Sequence, residues 1–189
     1  MVFQNSMVMP SPLSQHAGRY LLETIVADTD ATIDFTSNID DTYDRYEFEL
    51  HNIIGSVDGN DINMRFSGDG GSTWKSSASS YRRACIQVKT DASVSSTFTS
   101  DVGIRLQDSG IGNAAGETFN SVVTIFKPSV VGTVKRVSFL SNHSSSNGHT
   151  IISIGGGHYN SDTAIVNACQ FYFNSGNIVS GKFKLYGIK

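Results

Sequence analysis

Tyr43-Asp44-Arg45-Tyr46-Glu47-Phe48-Glu49-Leu50-His51-Asn52-Ile53-Ile54 alternates apolar and polar side chains along its middle. Tyr46, Phe48 and Leu50 fall on one side of an extended chain, Glu47, Glu49 and His51 on the other. A period of two marks a strand with one wall in a core and one in water. Residues 61–67 repeat the pattern, with Ile62, Met64 and Phe66 set against Asp61, Asn63 and Arg65. The short segment between the runs carries Gly55 and Asp58-Gly59, which are turn residues. The reading makes the two runs antiparallel neighbours.

Working outward, turn-bounded runs follow one another at short spacing: 20–27, 31–37, 43–54, 61–67, 81–89, 97–107, 117–127, 133–140, 149–154, 165–173 and 181–189. Run 81–89 reads with Ala84, Ile86 and Val88 inward. Phe98, Val102, Ile104 and Leu106 share a single strand, and 141–148 is a polar loop. Phe119, Val123 and Ile125, then Cys169, Phe171 and Phe173, then Phe183 and Leu185, form further inward sets. Helix formers are scarce, and 18 glycines supply turns. The fold expected is all-β, an antiparallel β-sandwich or jelly roll over residues 20–189. Uneven strand lengths disfavour a closed barrel. The last run suits the middle of a sheet.

Residues 1–19 stand apart, with two of the chain's three prolines and no apolar alternation. They read either as a disordered end or as a short extended docking arm, with Phe3, Met7, Met9, Pro10, Pro12 and Leu13 as the contact residues. The stretch lacks the basic start and apolar run of a secretory leader, and no segment approaches a membrane span. A chain of 189 residues with net charge −3 and scattered lysines and arginines points away from nucleic acid. Cys85 and Cys169 have no metal-type spacing and stand as free buried thiols or, if they prove close, as a disulfide.

Chemical motifs are sparse. Asp28 with Asp30, Asp40 with Asp41 and Asp44, and Asp58 with Asn60 and Asp61 offer oxygen ligands, yet none spells a calcium loop and all are ordinary turn residues. No nucleophile elbow and no phosphate-cradling loop occurs, so neither enzyme activity nor a cofactor is expected. What remains is binding. Trp74, Tyr81 and Tyr159 border Gly-, Ser- and Asn-rich segments and suit stacking on sugar rings or proteins; the alternative is that they plug the ends of a core. His143, His149 and His158 would join them if their loops met at one end of a sandwich, and are otherwise surface histidines.

Leu21-Leu22-Glu23-Thr24-Ile25, Ala31-Thr32-Ile33-Asp34-Phe35 and Tyr43-Asp44-Arg45-Tyr46-Glu47-Phe48 resemble a domain recurrent in tailed-bacteriophage virion proteins. Arg65-Phe66-Ser67 with Asp69-Gly70-Gly71-Ser72-Thr73, and Lys184-Leu185-Tyr186-Gly187-Ile188, fit the same pattern. The resemblance covers about 20–189 and is structural, not catalytic. It implies a non-enzymatic virion protein, often a homotrimer, in contact with baseplate, tail or major capsid protein. The expectation leans to a small tail-fibre or receptor-binding component holding host surface glycan. A capsid decoration (cement) protein follows closely, and a free lectin is distant.

Overall fold

The alternation around Tyr46 builds the middle of a large antiparallel sheet. The computed structural model describes residues 18–189, apart from the Ser100 side chain, as twelve strands without a helix. They are β1 (Arg19–Asp30), β2 (Thr32–Phe35), β3 (Arg45–Gly55), β4 (Ile62–Ser67), β5 (Tyr81–Lys89) and β6 (Val94–Asp101). The second half supplies β7 (Ile104–Arg105), β8 (Phe119–Phe126), β9 (Arg136–Ser144), β10 (Thr150–Tyr159), β11 (Ala168–Phe173) and β12 (Ile178–Ile188). Eight form one sheet in the order β1-β12-β3-β8-β9-β10-β5-β6, and four form a second in the order β2-β11-β4-β7. Packed together they make an antiparallel β-sandwich.

Aromatic rings weld the two layers. Phe48 of β3 meets Phe35 of β2 at 5.1 Å and Phe171 of β11 at 5.2 Å between ring centres, edge to face, while Phe171 lies 5.5 Å from Phe183 of β12. Each such pair adds roughly 0.5–1.5 kcal/mol beyond burial of its area. Tyr46, Phe48, Leu50, Phe119, Val123, Ile125, Phe183 and Leu185 are all buried on the inner face, as the alternation requires. The last strand, β12, pairs with β1 on one side and β3 on the other. Arg19 at the start of β1 stands opposite Ile188 at the end of β12.

Four expectations are corrected. The 43–54 and 61–67 runs are not neighbours: β3 pairs with β12 and β8, while β4 pairs with β11 and β7 in the other sheet. Both bury their apolar sides in the same core from opposite layers, and alternation specifies a face without naming a partner. Strand β5 is turned over. Tyr81, Arg83, Cys85 and Gln87 point inward, while Ala84, Ile86 and Val88 are exposed. Hydrogen bonds from Arg83 to the Gln107 carbonyl and from Gln87 to Ser109 anchor that inner side to the segment following β7. The 97–107 run is divided between the sheets, leaving Phe98 and Val102 exposed and Ile104 and Leu106 buried. Strand β9 continues to Ser144, so half of the expected 141–148 loop is ladder.

Cys85 and Cys169 are free, one in each sheet, and burial raises both thiols. The expected arm residues Phe3, Met7, Met9, Pro10, Pro12 and Leu13 lie outside the described residues.

Candidate functional site

The residues singled out by sequence do not form one site. Tyr81 is fully buried; its hydroxyl accepts the Phe66 N–H at 2.9 Å and donates to the Lys75 carbonyl at 2.9 Å. Tyr159 packs 5.1 Å from it, and Lys75 covers the Tyr159 ring while pairing with Asp162 at 2.6 Å. Trp74 is half-buried in the loop leading to β5. This cluster closes an end of the core, the alternative that composition left open for Tyr81 and Tyr159.

The histidines disperse. His143 points inward from β9, only 2% exposed and beside Phe119. Among the described residues neither ring nitrogen makes a hydrogen bond of ordinary geometry. Burial lowers its pKa to about 4, opposed only in part by the Ser109 backbone. His149 precedes β10, 3.9 Å from Asp91, and His158 lies near the far end of that strand. Nine residue steps along the chain separate the two histidines by roughly 30 Å. The acidic groups are engaged locally: Asp40 accepts the Thr42 N–H and the Tyr46 hydroxyl, and Asp61 pairs with Arg105.

The surface left for function is the outer face of the eight-stranded sheet. Val122, Leu140, Ile154 and Ile86 stand directly opposite one another across β8, β9, β10 and β5. All four are exposed, Leu140 at 52% and Ile154 at 58%. The next cross-strand row adds Ile152, Val88 and Val94. Together these seven side chains present one contiguous apolar face, the kind that marks a contact site rather than scattered surface hydrophobics. No charged residue interrupts the two rows.

Toward one end of this face the pattern changes. Arg82 of β5 is directly opposite His158 of β10, which is directly opposite Arg136 of β9. Neither arginine is ion-paired within the described residues. Burial, then Arg136, then Arg82 depress His158, against an opposing hydrogen bond that the ring donates to Asn160. Arg82, Arg136, His158, Phe98, Gly156 and Gly157 line a cleft of about 350 Å³. With no side chain at Gly156, the floor between the basic row and the aliphatic rows stays low. A Cβ there would meet the Val137 carbonyl oxygen at 2.8 Å.

Of the expected contact residues, only His158 belongs to this cleft. Arg82, Arg136 and Phe98 escaped notice because they lie far apart in sequence, and strand pairing alone brings them together. The Arg82-Arg83 doublet was the available signal, since alternation sends its members to opposite faces. Compared with protein-family models, curated proteins and solved structures, the chain finds no match.

Proposed function

We propose that this chain is a non-enzymatic structural protein of a bacteriophage virion surface. In this reading it is a small tail-fibre or receptor-binding component that assembles with copies of itself through the outer face of its large sheet. The uninterrupted aliphatic row Val122–Leu140–Ile154–Ile86 carries the proposal. The row holds no charge that would be stranded against a second copy, and Ile152, Val88 and Val94 widen it in the next row. Three copies, the number the sequence resemblance implies, would turn their faces toward a common axis. Several weak ligand sites would then act together.

Two measurements test this. Gold-labelled antibody raised against the purified protein is expected to mark the tails of phage particles that carry it. Label over the head would favour the decoration reading, and unlabelled particles would overturn a virion role. Sedimentation of the purified chain is expected to give a trimer, converted to folded monomer by Leu140→Glu with Ile154→Glu. A wild-type monomer would remove the outer face as the assembly surface.

A further inference from the structure

We propose that the cleft bounded by Arg82, His158, Arg136 and Phe98 binds an acidic saccharide, a sugar ring carrying a carboxylate or phosphate. This deepens the adhesion reading above and rests on the receptor-binding role proposed there.

The basic row is the first reason. Like charges directly opposite on neighbouring strands weaken a sheet. Here three cationic or protonatable side chains occupy consecutive strands of one row, and neither arginine has an acidic partner among the described residues. Among the other arginines, Arg19 reaches Glu47 and Glu49, Arg83 reaches Asp108, and Arg105 reaches Asp61, while Arg45 and Arg65 make no ion pair among the described residues. An oxyanion above His158 would lie between two guanidinium forks, each suited to bidentate hydrogen bonds with carboxylate or phosphate.

The remaining walls select a sugar rather than a free ion. Phe98, 66% exposed, flanks the cleft and offers an apolar face on which the C–H side of a ring can rest. Gly156 leaves a floor flat enough for the ring to lie down. A volume of about 350 Å³ falls at the lower end of the about 300–1,000 Å³ typical of small-ligand pockets, room for one or two rings. With Gly156 between them, the basic row at His158 lies four residues along β10 from Ile154, about 13 Å from the aliphatic row. A self-assembly contact centred there leaves the cleft at its rim. A nucleic-acid strand would need cations along a longer path and successive stacking aromatics, against a net charge of −3.

Titration calorimetry on the purified full chain at low salt tests this. The probes are a sialylated trisaccharide, its desialylated form, a hexose phosphate, inorganic phosphate and a single-stranded oligonucleotide. The sialylated trisaccharide or the hexose phosphate is expected to bind at least about tenfold more tightly than the neutral sugar and inorganic phosphate. Arg82→Gln with Arg136→Gln should abolish this binding without lowering the melting temperature. Phe98→Ala should weaken the sugar while leaving inorganic phosphate unchanged. Equal binding of neutral and acidic sugars, absence of sugar binding, unchanged binding in the double variant, or tighter binding of the oligonucleotide would each overturn the proposal. A chain that assembles normally yet binds no acidic sugar would sink this inference alone, leaving the assembly reading in place.

Discussion

The Tyr81 hydroxyl, carried by β5 of the large sheet, accepts the backbone N–H of Phe66 on β4 of the small sheet at 2.9 Å. One side chain thus fastens the two layers at a buried point. Tyr81→Phe would leave that N–H without an acceptor and the Lys75 carbonyl without a donor. It is expected to cost about 1–3 kcal/mol, read from urea unfolding. Calorimetric binding of acidic sugar should be unchanged; a loss of binding without loss of stability would return Tyr81 to the ligand contacts.

Arg83 and Asp108 form a pair at 2.9 Å with the arginine side chain only 2% exposed. The guanidinium also donates to the Gln107 carbonyl at 3.1 Å, and the Thr97 hydroxyl donates to Asp108. Removing one member strands a buried charge. Asp108→Ala is expected to lose about 3–5 kcal/mol, whereas Arg83→Met with Asp108→Leu should recover much of it. Equal stability of the single variant and wild type in guanidinium titrations would contradict this.

His143 makes the fold sensitive to acid. Its pKa falls from 6.5 to about 4 on folding. Between those values the unfolded chain holds a proton that the folded chain refuses, so stability falls as pH drops from 6.5 to 4 and levels below. The full contribution is about 3 kcal/mol. Urea unfolding across that range should show a shallower slope in His143→Leu than in wild type. Parallel slopes would show that carboxylates alone drive the acid loss.

Strand β12 is paired along both edges and carries the buried side chains Phe183 and Leu185. Deleting residues 183–189 should prevent folding, leaving no cooperative thermal transition. A soluble truncation with a sharp melt would show that β1 and β3 can close the gap.

The physical content of the sequence reading was the period of two. It identified which side of β3 and β12 is buried, because each has aromatic or aliphatic residues on one side and mostly charge on the other, and on β8 it picked out Phe119, Val123 and Ile125 although the outer side also carries Val122 and Phe126. It failed on β5, where both sides carry reasons to be buried: aliphatics at Ile86 and Val88, and on the other side Arg83 and Gln87, which find partners after β7. A strand's alternation cannot weigh a salt bridge whose acid lies many residues away. The same gap hid the cleft. Arg82, His158 and Arg136 are neighbours by virtue of β5-β10-β9 pairing, a long-range relation that no local pattern encodes. His143 was misplaced for a simpler reason, since the serines around it read as loop while they line a continuing ladder.

The pairing of Arg19 with Ile188, and the Lys189 N–H donating to the Gly18 carbonyl at 3.4 Å, bring the two ends of the described chain to one corner. The sequence order of the strands can therefore be rotated without changing their spatial neighbours. A circular permutant, with residues 189 and 18 bridged by a few flexible residues and new ends opened at the exposed 91–92 turn, should fold to the same two sheets. Translation of that variant would make β6 the first strand and β5 the last. The order in which strands emerge from the ribosome becomes an experimental variable, separable from the architecture they reach.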